Sequence, residues 1–507
     1  MRYVALGCFA LVLFAATANA RWLEASSDHF VIYGDQSEKA VTGFAERLER
    51  FHGAMAHVFR KQQTKPSPSN RVTIFVVSST GKVREVIGAK NRYISGVYFP
   101  RAGSSIAVVP KLMGASSQYD MSGETILYHE YAHHFMIAGL TARAYPRWFT
   151  EGFAEFFAGV EFKADGRVAL GAPPSFRVAE LFHAREVPIR KLLDFDGGAD
   201  DSKSSYDSFY GQSWVLFHYL LMAPERAGQL SKYELLLAKG HSALEAAEGA
   251  FGALNRLDTD VESYLKRRTI STLVVDRTAL TIGPITVRKL LPGEVAMMPT
   301  VIESKVGVTP EEALRLLPEA RKVAALYSDE PTVLAALAEA EFDAGNNEAA
   351  VAAADRALAI DPKQINAHIQ KGYALTRMVQ SGALPKESWK DVRSQFVNAN
   401  KVENDHPIPL MQFYLSYLEQ GERPTKNAIA GLEWAMELAP FDASLRWLVA
   451  QQMVSDERFR DAVQTLAPLA YSPHPGEHTE TARRLLKDVE ARLEGGQGPA
   501  AGSISAN

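Results

Sequence analysis

His129-Glu130-Tyr131-Ala132-His133 decides how the first half of this chain is read. Residues four apart in a helix lie on one face, so His129 and His133 can share one metal ion. Glu130 follows the first histidine, where its carboxylate can reach a water bound to that metal. The spacing suits zinc, with Glu130 positioned to take the water's proton. The helix carrying this stretch is expected from about Ser122 to Ala138. Ser122 or Asp120 caps it, Gly139 ends it, and Ile126, Leu127, Phe135 and Met136 pack it into a core.

A catalytic zinc needs three protein ligands and an open position for water. The third ligand should come from a neighbouring element that brings a carboxylate or imidazole to the same point. Pro146-Arg147-Trp148-Phe149-Thr150-Glu151-Gly152-Phe153-Ala154-Glu155 can supply it. Pro146 suits a helix start, and Glu151 and Glu155 share a helix face. Two acids among Trp148, Phe149, Phe153, Phe156 and Phe157 are costly to bury without partners. A metal and one of its imidazole ligands would be suitable partners.

With these two stretches the chain resembles the gluzincins, zinc metallopeptidases with HExxH followed by a glutamate ligand on the next helix. Trp-Phe-Thr-Glu-Gly-Phe-Ala-Glu (148–155) is similar to their glutamate-bearing helix, and the segment from His134 to Thr150 has a length typical of the group. The resemblance implies an α+β thermolysin-like domain. It implies that His129, His133 and Glu151 hold one Zn2+ per chain, that Glu155 steadies a ligand histidine, and that Glu130 is the general base. Gluzincins often steady the oxyanion with a tyrosine or histidine. Tyr210 fills that role by resemblance, before Gly211-Gln212-Ser213-Trp214 at the start of an apolar helix that follows the Gly197–Ser205 loop, with Tyr206 a weaker alternative. In the group, the strand before the zinc helix commonly lies at the sheet edge and pairs with extended substrate, which assigns that place to Ser105–Val109. No Gly-Ala-Met-Glu-Asn-like string of the aminopeptidase branch is present. Amino-terminal exopeptidase action is therefore disfavoured, and an endopeptidase is expected.

The chain begins with Met1-Arg2, an apolar run from Val4 to Phe14 and a small-residue site at Ala18-Asn19-Ala20. This reads as a cleaved secretory signal peptide over residues 1–20, because the apolar run is too short to span a bilayer. It points to a periplasmic or secreted protein. Cys8 is the single cysteine and would leave with that segment, so neither disulfides nor thiol chemistry are expected. No later stretch is apolar enough for an integral membrane segment. A formal net charge of −4 without a concentrated basic face argues against nucleic acid as a partner.

Residues 21–270 read as the peptidase domain. His29–Tyr33 and Val72–Val77 have strand composition, and Gly96–Phe99 with Ser105–Val109 form a hairpin around Pro100-Arg101-Ala102-Gly103. Phe44, Leu48, Phe51, Met55 and Phe59 recur at helical spacing, with His52 and His57 expected at the surface. His134 and His218 read as structural and packing residues. Residues 271–304 form a linking subdomain in which Thr278–Pro299 alternates like one or two short strands, with turns at Gly283-Pro284 and Pro292-Gly293. Residues 305–490 are rich in Ala, Leu and Glu. Pro331–Pro362 fits the tetratricopeptide pattern of about 34 residues, with Leu334, Leu337, Ala338, Ala350, Ala354 and Ala357 at its small and apolar positions. Weaker units begin near Ile365, end at Ala439-Pro440, and run from about Ala443 to Pro473. The expectation is an all-α tetratricopeptide-repeat solenoid that recruits a protein or peptide on its concave surface. Residues 491–507 read as a disordered tail.

Two functions follow from these features. One is a secreted zinc metallopeptidase that hydrolyses peptide bonds with Glu130 as base. The other is a catalytically inactive peptidase-like protein that acts as a protein-binding scaffold through its repeats.

Overall fold

The computed structural model describes residues 22–61, 65–89, 91, 94–111, 122–139, 144–194, 207–472 and 476–495. The expected signal peptide with Cys8, Asp120, the Gly197–Ser205 loop, Tyr206 and the end of the tail lie outside the described residues. No helix among the described residues is long and apolar enough to cross a membrane.

The first half is built on a six-stranded mixed sheet. Its strands are β1 (Leu23–Ser26), β2 (Phe30–Gly34), β3 (Val72–Val77), β4 (Val97–Phe99), β5 (Ile106–Pro110) and β9 (Thr286–Lys289), in the order β4-β5-β3-β2-β1-β9. Pairs β2/β3 and β3/β5 are parallel and the others antiparallel. A small antiparallel sheet joins β6 (Glu161–Phe162), β7 (Val168–Leu170) and β8 (Leu273–Val275).

Side chains alternate across a strand, so each strand divides its apolar residues between two cores. Phe30, Ile32, Val72, Ile74, Val76, Ala107 and Val109 enter the main core with helices α1 (Glu38–Val58), α3 (Gly123–Gly139) and α4 (Arg147–Ala158). Tyr33, Phe75, Val77, Ile106 and Val108 face the other way, toward α2 (Thr80–Val86) and α11 (Pro292–Val306). Between α4 and α11 lie α5 (Ser175–His183), α6 (Ile189–Leu193), α7 (Phe209–Met222), α8 (Gln229–Ala238), α9 (Ala243–Phe251) and α10 (Leu254–Leu265).

Ten further helices form an all-α solenoid. They are α12 (Pro310–Leu326), α13 (Pro331–Asp343), α14 (Asn347–Ile360), α15 (Ile365–Gln380), α16 (Trp389–Val402), α17 (Pro407–Gln420), α18 (Lys426–Leu438), α19 (Ala443–Ser455), α20 (Phe459–Ala470) and α21 (Thr479–Gly495). Each packs on its sequence neighbours, and α13 also touches α15, as α15 touches α17. That contact pattern is how stacked helix pairs share one continuous core. The unit expected over Pro331–Pro362 is the α13–α14 pair, with Leu334, Ala338, Ala350, Ala354 and Ala357 fully buried. The units expected near Ile365 and Ala443 begin where α15 and α19 begin.

Four expectations are corrected. Ser105–Val109 is not the sheet edge, because β5 lies between β3 and β4, and the short β4 is the outer strand. Pro292-Gly293 is not a turn between strands but the first turn of α11, where proline at the helix start needs no N–H partner and Glu294 accepts from Leu291 N at 2.8 Å. His52 is not a surface residue. It stacks on His29 with ring centroids 3.7 Å apart and its Nδ1 lies 2.8 Å from Tyr131 Oη, while His57 is exposed as expected. The helix α21 runs to Gly495, into the stretch read as tail. The linking stretch contributes β8 to the small sheet and β9 to the edge of the large one.

The solenoid is docked on the first half through the β4–β5 hairpin tip. Ala102 N donates to Asp442 Oδ2 at 2.7 Å, and Ala102 is buried in the core formed by α17–α19. Ser69 donates to Glu403 through both its N and its Oγ, at 2.9 and 2.6 Å. Phe441 lies on the His134 ring at 4.2 Å.

Inside the solenoid, Gly372 allows α15 and α16 to touch. A Cβ there would stand 2.6 Å from two ring atoms of Phe396, which is itself buried. Gly372→Ala is expected to cost about 1–3 kcal/mol through overpacking, read as a lowered midpoint in thermal unfolding. An unchanged midpoint would show that the Phe396 ring has room to turn.

Candidate metal centre

Helix α3 begins with Ser122 Oγ accepting from Thr125 N at 3.0 Å, so Ser122 caps it as expected. Leu127, Tyr128, Tyr131, Phe135 and Met136 anchor its inner side in the main core. Helix α4 starts after Pro146, and every residue from Trp148 to Ala158 is buried. Gly152 explains how α4 is placed. A Cβ at that position would lie 2.4 Å from Ser213 O and 2.8 Å from Phe217 Cβ, so only glycine lets α7 cross there.

The two helices bring His129, His133 and Glu151 together. Among the described residues this is the one group of histidines and acids spaced to hold a metal ion. His129 Nε2 and His133 Nε2 are 3.2 Å apart, and Glu151 Oε2 is 3.4 Å from the first and 3.5 Å from the second. Zinc bonds of about 2.0–2.1 Å at tetrahedral angles put ligand atoms about 3.3–3.4 Å apart. The donor set of two imidazoles and a carboxylate therefore fits a zinc ion in both chemistry and spacing. These three residues would hold a zinc ion and leave it a place for water.

Charge is shared tightly here. Burial alone would lower the His129 pKa, but the Glu151 hydrogen bond and the charges of Glu155, Glu151 and Glu130 outweigh it and raise it to about 9. Burial would raise Glu151, yet His133 and His129 hold its carboxyl well below the usual range. Without a cation, the carboxylate is compensated by an imidazolium. A dication can take over that task.

Glu155 faces the other side of His129, with Oε1 3.6 Å from Nδ1, beyond hydrogen-bond distance. The same Oε1 accepts from Arg177 Nε at 2.9 Å and Nη2 at 2.6 Å. Arg177 Nη1 also donates to Glu180 Oε2 at 3.1 Å, and Glu180 Oε1 accepts from Gly211 N at 2.8 Å. This relay ties Glu155, the acid beside His129, to the start of α7, where Tyr210 stands. The Tyr210 ring lies 4.4 Å from the Arg177 guanidinium carbon, and its Oη accepts from Arg147 Nη2 at 3.3 Å. Burial, then the Glu151 charge, raise its pKa, so Tyr210 stays a protonated donor.

Glu130 is half-buried on the neighbouring side of α3, and its charge reaches both His129 and Tyr98. His134 has the expected structural role: Nδ1 lies 2.8 Å from Tyr98 Oη, and the ring stacks on Tyr131. His218 is buried in packing, with Nε2 3.1 Å from Ser271 O and Nδ1 2.9 Å from Tyr264 Oη.

Sequence reasoning missed Arg177, Glu180 and Arg147. Arg147 opens α4 one residue before Trp148, and no helical spacing marks it. Arg177 and Glu180 form an Arg–Glu pair three residues apart on a helix, a pattern that is usually solvated surface. Only the fold puts them against Glu155.

Three outcomes are expected at this centre. Because His129 carries a proton up to about pH 9 in the metal-free chain, zinc uptake at pH 7.5 should release about one proton. Calorimetric titration in buffers of different ionisation enthalpy measures this, and zinc binding without proton release would contradict it. The same raised pKa stabilises the metal-free fold below the ordinary histidine value of 6.5, and that contribution is lost as pH rises through about 9. Glu151→Ala should lower zinc occupancy; full stoichiometric zinc in that variant would remove Glu151 from the ligand set.

No family model matches this chain, and no curated protein matches it. Among solved structures it is similar to a thermophilic TPR protein from Thermus thermophilus, at 18% identity over 39% of this chain and 98% of that chain, with a TM-score of 0.32. It is also similar to a tetratricopeptide repeat protein from Parabacteroides merdae, at 12% identity over 52% of this chain and 87% of that chain, with a TM-score of 0.30. A third is yeast Tom70, at 13% identity over 61% of this chain and 70% of that chain, with a TM-score of 0.27.

Proposed function

We propose that this chain is a protein-binding repeat protein that carries a zinc hydrolase centre for peptide bonds, acting as an endopeptidase in the periplasm or outside the cell. The observation that supports hydrolysis is the triangle of His129 Nε2, His133 Nε2 and Glu151 Oε2, with sides of 3.2–3.5 Å, beside Glu130. When bound, zinc would supply Lewis-acid chemistry: it polarises a carbonyl and acidifies a water.

The chain's own residues carry the rest. Glu130 takes a proton from the attacking water and returns it to the leaving amine. Tyr210 donates its hydroxyl hydrogen to the developing oxyanion, held in place by Arg147 and Arg177. Glu155, gripped by Arg177, presents its carboxylate toward His129 Nδ1 at 3.6 Å, and its charge favours the ring orientation that turns Nδ1 to it. The outer strand β4 offers main-chain groups to an extended substrate, in place of the inner β5.

The second reading needs only the fold. A peptidase-like protein with a structural or unused metal could bind another protein through the solenoid α12–α21, whose stacked helix pairs favour it.

One comparison separates the two. Zinc content and cleavage of an unfolded protein such as reduced casein are measured for the wild type and Glu130→Gln. The hydrolase reading expects equal zinc and a loss of activity of roughly 100-fold or more. Bound zinc with no cleavage that depends on Glu130 would leave the scaffold.

A further inference from the structure

A cavity apart from His129, His133 and Glu151 lies elsewhere in the molecule. It has a volume of about 670 Å³ and lies between the sheet and the solenoid. Tyr33, Thr73, Phe75 and Ile106 line it from β2, β3 and β5. Strand alternation puts these residues on the face opposite the zinc helix. Its volume lies in the range of small-molecule sites, at roughly 300–1,000 Å³.

The lining is mixed. Met297, Ile369 and Tyr373 give it apolar walls from α11 and α15. Arg101, from the hairpin tip, brings a guanidinium whose Nη2 is buried and makes no hydrogen bond. The acids whose charge reaches Arg101 are Glu339 and Asp442, and both spend their oxygens elsewhere. Glu339 accepts from Lys305 Nζ at 2.8 and 2.7 Å and from Asn366 Nδ2 at 3.0 Å. Asp442 accepts from Ala102 N at 2.7 Å and Leu445 N at 2.8 Å. The other cations on the wall, Lys305 and Arg288, are paired with Glu339 and with Glu24 and Glu294. On the solenoid wall, Gln370 Oε1 is a buried acceptor without a hydrogen bond.

A buried donor and a buried acceptor left unsatisfied each carry a desolvation cost, which a ligand can remove. The missing partners are a carboxylate for Arg101 and an N–H for Gln370, joined by an apolar body. We propose that this cavity binds a short peptide through its carboxylate, a site made jointly by the β4–β5 hairpin and the solenoid. The site is independent of the metal centre, since no residue of that centre lines it.

The carboxylate can be a chain terminus or an acidic side chain, and three probes distinguish them. N-acetyl-Leu-Leu with a free carboxylate, the same peptide as its amide, and N-acetyl-Asp-Leu amide are titrated calorimetrically into the intact purified chain. At least one acid probe should bind, with the neutral amide roughly 10-fold weaker or more. The acid that binds better names the source. Arg101→Gln should lose that preference and Arg101→Lys should keep part of it. Equal binding of acid and amide by the wild-type protein, or no binding of any probe at millimolar concentration, would overturn the proposal without recourse to a variant. So would an Arg101→Gln chain that binds the acid as the wild type does.

Discussion

Glu151 is an acid with no solvent exposure on a helix that is buried along almost its whole length. An ionised carboxylate in such a place is expensive unless opposite charge meets it directly. Much of the first half serves that requirement. α3 delivers two imidazoles on one face, Gly152 lets α7 close over α4, and aromatic rings exclude water around the cluster. Glu155, one turn further along α4, poses the same problem and is answered by Arg177. The arrangement is strongly coupled: His129 lies between two buried acids, and each acid depends on a cation supplied by another element.

The central sheet separates two kinds of chemistry. Alternate residues of β2, β3 and β5 point to the helices that hold His129, His133 and Glu151 or to the space shared with the solenoid. The solenoid is therefore not a free appendage. Its Phe441 rests on His134, next to His133, while its inner side closes a cavity over the opposite sheet face. The repeat array, expected to recruit a protein on its concave surface, shares a cavity wall with its own chain. Any partner at that surface meets residues from both halves.

The candidate metal site was legible because its chemistry needs short, regular spacing. His129, Glu130 and His133 obey helix periodicity, and the acids of α4 stand out against their aromatic neighbours. The repeats were legible where small residues mark helix crossings, as at Ala350, Ala354, Ala357 and Gly372. Other features were hidden for physical reasons. Whether β5 lies inside the sheet or at its edge depends on whether β4 pairs outside it, and local composition does not encode that. The stretch before α11 alternates like a strand, but proline at Pro292 serves equally as a helix start. His52 sits on the rim of an amphipathic helix, and only the approach of His29 and Tyr131 takes it from water.

By itself the sequence determined which side chains share a helix face, because that is a consequence of spacing along one segment. It paired His129 with His133 and Glu151 with Glu155. Tertiary structure alone decided which distant groups share a charge or close a space: Arg177 on Glu155, Glu180 on Gly211, Arg101 over the solenoid's inner wall. Those contacts join segments that no local periodicity relates. They exist because buried charges and unpaired backbone groups must find partners wherever packing brings the chain together.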